Sequence, residues 1–181
     1  MRGWFQKSSR FIIAGALAAP FAGPQSQALA ATQGVYGPTS TAIAKISVII
    51  PAMVSVTNVS DMVLTAGEAG EPIEGSGEIC VYSNANALYK VRATSANGGG
   101  GFSVSSDGVS LPYEVMWADD NDTQAVLSEG NITDVAFLGS EDVDCSDDVR
   151  SRFSVNVASA DWQLAPEGVY TDTLTLEISP T

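Results

Sequence analysis

Histidine is absent from all 181 residues. That excludes His-dependent catalytic triads, His-ligated zinc and imidazole acid–base chemistry. Cysteine is scarce, with Cys80 and Cys145 the only two, too few for a four-thiolate metal site. Positive charge is also short, at 8 basic residues against 21 acidic. Nucleic acid is therefore excluded as a partner, because affinity there comes from neutralising phosphates with Lys and Arg. Anionic membrane surfaces are disfavoured for the same reason. No phosphate loop or dinucleotide fingerprint follows an apolar run; the four glycines at 98–101 lack the Lys or helix such a site needs. A carboxylate pair is the catalytic device left open. In a chain this acidic, neighbouring carboxylates are expected without any catalytic role, so the chain is read as not an enzyme, with no cofactor and no metal.

The first thirty residues carry the layout of a secretory signal peptide. Arg2, Lys7 and Arg10 precede an apolar, small-residue run at 11–22, and Ser26-Gln27-Ala28-Leu29-Ala30 offers small residues at the two positions a signal peptidase inspects, with cleavage after Ala30. A membrane anchor is the alternative reading, but the run is interrupted by Pro20 and is shorter than the ~20 residues a spanning helix needs. No later run is long enough either, so no membrane insertion of the mature chain is expected. Cleavage leaves 151 residues, enough for one domain with a sizeable core. Three of the 8 basic residues leave with the signal, so 5 face 21 acidic ones, a net charge of −16. Such a charge keeps a crowded surface protein soluble. An oxidising compartment favours pairing of Cys80 with Cys145. That bridge would stabilise by roughly 4 kcal/mol in the chain-entropy description; two free thiols are the alternative.

What remains reads almost entirely as strand. Short runs rich in Val, Ile, Thr and aromatics lie at 42–50, 52–59, 62–65, 78–83, 88–95, 101–105, 111–117, 124–127, 132–138, 152–158 and 169–178. Turn-forming clusters at 66–77, 95–101, 106–108, 119–122 and 140–148 separate them at intervals of about ten residues, the rhythm of an immunoglobulin-like β-sandwich. One short helical turn is expected within 123–130. The acidic turns Asp119-Asp120-Asn121-Asp122 and Glu141–Asp148 offer oxygen ligands for calcium, but neither has the EF-hand's Gly at position six and Glu at position twelve. They are read as solvated loops. Asn58, Asn121 and Asn131 head formal glycosylation triplets that carry little weight.

The informative stretch opens the mature chain. Residues 31–40 are small, polar and Gly/Pro-containing, with little reason to fold alone. Residues 41–50 then alternate and Pro51 stops them. One face carries Ala42, Ala44, Ile46, Val48 and Ile50, the other Thr41, Ile43, Lys45, Ser47 and Ile49. A second strand begins directly after the proline, so the two cannot form a tight hairpin. The first must leave the domain or pair elsewhere.

This order, with Ile79-Cys80-Val81-Tyr82-Ser83-Asn84, Leu111-Pro112-Tyr113-Glu114-Val115-Met116-Trp117 and the ending Pro166-Glu167-Gly168-Val169-Tyr170-Thr171-Asp172-Thr173-Leu174-Thr175-Leu176, resembles chaperone–usher pilins of the alternative (alpha-fimbrial) or archaic spore-coat-U-like branches. The first cysteine departs from the archaic pattern, which places one near the first strand.

The resemblance implies an all-β fold: an incomplete immunoglobulin-like β-sandwich completed by a donor strand from a neighbouring subunit. On that reading residues 1–30 are the signal peptide, 31–51 the leader and donor strand, and 52–181 the pilin domain. Ala42, Ala44, Ile46, Val48 and Ile50 would be the polymerising face. The implied partners are copies of the same chain, a periplasmic chaperone and an outer-membrane usher, and the destination is a cell-surface fimbrium. Two other classes are weighed against it: a stand-alone secreted β-sandwich binding calcium or carbohydrate, with Trp117 and Trp162 as stacking residues, and a non-fimbrial coat or matrix protein.

Overall fold

A computed structural model describes residues 31–181; the segment 1–30, expected to be the signal peptide, lies outside the described residues. The chain divides into two units, Met1–Ile49 and Ile50–Thr181. In the first, Thr32 and Ile43 exchange both backbone hydrogen bonds at 3.0 Å, an isolated bridge. Residues 44–50 belong to no strand. The alternating segment therefore has the pattern of a strand without a ladder, since periodicity sets which side chains share a face and a partner must supply the hydrogen bonds.

The second unit is nearly all-β and antiparallel. Ten strands follow in order: β1 Val54–Thr57, β2 Ile73–Ser83, β3 Leu88–Ser95, β4 Ser103–Ser106, β5 Val109–Pro112, β6 Glu114–Ala118, β7 Gln124–Val126, β8 Phe137–Leu138, β9 Ser151–Val157 and β10 Leu174–Pro180. One sheet runs β1-β2-β9-β6-β7, a second β10-β3-β8, and β4-β5 forms a hairpin. Asp107 and Gly108, with φ of 48° and 84°, close that hairpin in the two-residue geometry that left-handed residues permit.

The long β2 changes partners along its length. Ile73–Ile79 pairs with β9 and Cys80–Ser83 with β1. On the side vacated by β9, Ser140 takes over: its N–H donates to the Val81 carbonyl at 2.8 Å, and its own carbonyl accepts from Ser83 N–H at 3.2 Å. The chain at 137–140 thus passes from β8 in one sheet to β2 in the other. Cys80 and Cys145, both buried, are bridged where this crossing ends, 65 residues apart in sequence.

The core lies between the two sheets. Ile79, Val81, Tyr89, Val91, Val115, Trp117 and Phe137 are almost fully enclosed. Tyr89, Trp117 and Phe137 make a cluster with ring centroids 5.9–6.4 Å apart. Both polar tips within it are satisfied, as buried polar groups require. Trp117 Nε1–H donates to Tyr89 Oη at 3.0 Å, and Tyr89 Oη shares a hydrogen bond with Ser151 Oγ.

Several expected elements differ. The segment 62–65 forms no strand. The run 111–117 breaks at Tyr113, the one at 132–138 shortens to two residues, and the closing strand starts at Leu174 rather than 169. The helical turn lies at Ser159–Trp162 (α1) and not within 123–130, where β7 is drawn into a ladder with β6. Among the described residues no helix is long and apolar enough to cross a membrane.

Candidate functional site

β1 and β10 are each the terminal strand of their sheet and approach one another along one flank of the sandwich. In an ordinary two-sheet sandwich the inward residues of both sheets interdigitate and disappear from solvent. On this flank they do not. Leu174, Leu176 and Ile178 of β10 and Val54 and Val56 of β1 pack against the core yet stay half-exposed, whereas Tyr89, Val91 and Ala93, one strand inward, are at 0%. Met62, Ile73 and Trp162 add further half-buried apolar surface packed on the same core. Neither terminal strand has a ladder on its outer edge among the described residues. The flank therefore offers unpaired backbone beside an apolar row, the combination that strand addition satisfies.

Two side chains hold this region in shape. Asp172, two residues before β10, accepts from Ser95 Oγ at 2.7 Å, from the N–H groups of Asn97 and Thr173 at 3.2 and 2.7 Å, and from the Tyr113 hydroxyl. It fastens the end of β3 and the β5–β6 corner to the start of β10. Partial burial works to raise its pKa, but these donors outweigh it and hold the carboxyl below the ordinary 3.8. Burial, and then the Asp172 carboxylate, push the Tyr113 hydroxyl well above its ordinary range. At the other end of the strand pair, Asn84 anchors the entry to β1. Its side chain accepts from Met53 N–H at 2.7 Å and donates to the Pro51 carbonyl at 3.0 Å.

The residues singled out from sequence fall as follows. Ala42, Ala44, Ile46, Val48 and Ile50 are all exposed, Ile46 at 87% and Val48 at 81%, and lie in no strand. Cys80 and Cys145 are joined. Trp117 is fully buried and unavailable as a carbohydrate platform, because its indole completes the core; Trp162 is half-buried and donates to the Glu71 carbonyl. Asp119 is no solvated acid. At 7% exposure its carboxylate accepts from the N–H groups of Asn121, Thr123 and Leu138 at 3.0, 2.8 and 2.7 Å. Among the described residues no group of three or more acidic or sulfur side chains is arranged to hold a metal. Asp119 was legible only as an acid in a turn, and Asp172 only as a residue of the expected strand 169–178. The one signal for Asp172 was its place in the closing run Gly168-Val169-Tyr170-Thr171-Asp172.

No family model and no curated protein matches this sequence. Among solved structures it is similar to a chain from a chaperone–tip adhesin complex described in the synergistic activation of CFA/I fimbriae biogenesis, at 12% identity and a TM-score of 0.49. The match covers 71% of this chain and 42% of that one, so this chain spans less than half its length.

Proposed function

We propose that this chain is a structural subunit of a surface fimbria, assembled by donor-strand exchange. Residues 1–30 direct export, 31–51 provide a leader and donor strand, and 52–181 form the accepting domain. The observation that carries the reading is the flank between β1 and β10. It presents two free strand edges over apolar residues left half-exposed, in a chain whose N-terminal segment alternates like a strand and forms no ladder of its own. A segment from a second copy, laid along that flank, buries Ile46, Val48 and Ile50 at roughly 1.5–3 kcal/mol each and pairs the open edges. Because donor and acceptor are different surfaces of one chain, the contact does not close and propagates as a filament. An exposed edge of this kind aggregates if left bare; covering it is the task of a periplasmic chaperone before an outer-membrane usher passes the subunit on.

The test adds a synthetic peptide of residues 41–50 to the purified mature monomer and follows the melting temperature. Binding to the native state alone raises it by mass action. A clear rise with the native peptide, and none with the same peptide carrying Ile46→Asp, supports the reading. No rise with either peptide overturns it, and the stand-alone module then accounts better for the chain.

A further inference from the structure

Charge is divided unevenly along this chain. Residues 31–49 contain no acidic residue and one basic one, Lys45, while all 21 acidic residues follow them. On the alternating segment Lys45 lies on the face opposite Ala44 and Ile46, so it points outward whenever those residues point into a core. On β10 the outward row is Thr175 and Glu177, opposite the inward Leu174, Leu176 and Ile178. Glu177 is the one charged residue of β10 and is 59% exposed. It stands directly across from Arg92 of β3 and meets its guanidinium at 3.2 Å.

We infer that Lys45 of one copy pairs with Glu177 of the next and so sets the register of the added strand; the inference rests on the strand-addition reading above. Parity already requires that outward residues meet outward residues, but it leaves slips of two residues open, because an apolar row of Ala, Ile and Val tolerates them. Lys45 opposite Glu177 distinguishes among them. In the antiparallel sense it places Ile46 against Leu176, Val48 against Leu174 and Ala44 against Ile178, all inward side chains of β10, and carries Ile50 past the start of that strand to Asp172. A slip of two in either direction leaves Lys45 opposite Thr175 or Ser179, without a counter-charge. In register, the sheet surface reads cation, anion, cation across three strands, Arg92, Glu177 and Lys45, and opposite charges on neighbouring strands are favourable while like charges are not.

The experiment is a charge swap between copies, with assembly of the purified mature chain followed by light scattering. Lys45→Glu alone and Glu177→Lys alone each set like charges against each other in every contact, and each should assemble about fivefold more slowly than wild type. An equimolar mixture of the two variants restores an opposite-charge pair at both kinds of contact. The carboxylate introduced at position 45 of one variant meets the ammonium introduced at position 177 of the other, and the second variant's native Lys45 meets the first variant's native Glu177. The mixture should recover the wild-type rate as an alternating copolymer. Glu167→Lys, an exposed change of equal charge off the strand, should assemble like wild type. If Glu177→Lys fails to fold beside Arg92, the chain carrying both Lys45→Glu and Glu177→Gln should still assemble faster than Lys45→Glu alone. Wild-type assembly with no slowing in the single variants, or slowing that neither the mixture nor the double variant relieves, overturns the register inference and leaves strand addition standing. Failure of wild type itself to assemble overturns both.

Discussion

Removing the Asp119 carboxylate should be among the most costly single changes outside the apolar core. Its side chain follows β6 and is 7% exposed. One oxygen accepts from Asn121 and Thr123, closing the turn into β7, and the other accepts from Leu138 of β8 in the opposite sheet. In Asp119→Ala three backbone donors lose an ionised acceptor together. Water can reach Asn121 and Thr123, so their loss is worth about 0.5–1 kcal/mol each. The N–H of Leu138 donates from the opposite sheet to a charged acceptor, and its loss is worth about 1.5–3 kcal/mol. The total is about 2.5–5 kcal/mol, a large part of the 5–15 kcal/mol a domain of this size holds. Equilibrium urea unfolding reads this as a midpoint lowered by roughly 1–2.5 M at a slope of about 2 kcal/mol/M. Asp119→Asn keeps one good acceptor and should lose about half as much. A loss below about 1 kcal/mol in Asp119→Ala would refute the reasoning and return the acidic turn to the solvated loop its composition suggests.

Mass spectrometry of freshly purified protein, alkylated without reductant, should find no modified thiol, and the Cys80→Ser/Cys145→Ser pair should lose up to about 4 kcal/mol, because the bridge closes a long loop. Thermal melts in excess calcium and in chelator should coincide; a shift of many degrees would mean a native-state calcium site. Stability against pH should be flat from about pH 5 to 9, since no histidine titrates there. Asp172 and Asp147 have folded pKa values held below 3.8, so their contribution is present above that value and lost as pH falls through the depressed ones. Tyr89, pushed by burial from 10.0 up to about 12, and Tyr113, raised in the same direction, destabilise the fold only where the unfolded chain can ionise and the folded one cannot, so stability is level below pH 10 and falls as pH rises through the elevated values. A chain that loses stability between pH 5 and 9 would contradict both assignments.

Residues 88–95 read correctly to the residue, because buried and half-buried positions alternate over nearly their whole length and Asn and Ser punctuate the ends. β2 was half legible. Its first part, Ile-Glu-Gly-Ser-Gly, has the composition of a turn and is a strand because neighbours need the space. A side chain at Gly77 would sit 2.5 Å from the Phe153 ring, and Met62 and Leu64 lie over Gly75. Those contacts are tertiary and leave no trace in local pattern. Burial alternates without a break from Leu111 to Trp117, yet the run divides at Tyr113 because the residues before it pair with β4 and those after it with β9, a change of partner that local pattern does not record. For the candidate site, the alternation of residues 42–50 is a local sequence pattern, and the structure itself places these residues in no strand. The accepting flank was not legible, because it depends on which strands end up terminal in each sheet.

The central claim is that Ile46 acts in a neighbouring copy and not in its own domain, and the most direct measurement is electron microscopy of assemblies formed by wild type, Ile46→Asp and Lys45→Asp, with the melting temperature of each monomer recorded alongside. A carboxylate on the inward face costs several kcal/mol when buried without a partner. The account predicts filaments from wild type, slower but genuine filaments from Lys45→Asp, and none from Ile46→Asp, whose monomer melts as wild type does. Filaments from Ile46→Asp, or a wild-type monomer that stays stable and unassembled with its flank uncovered, would contradict it.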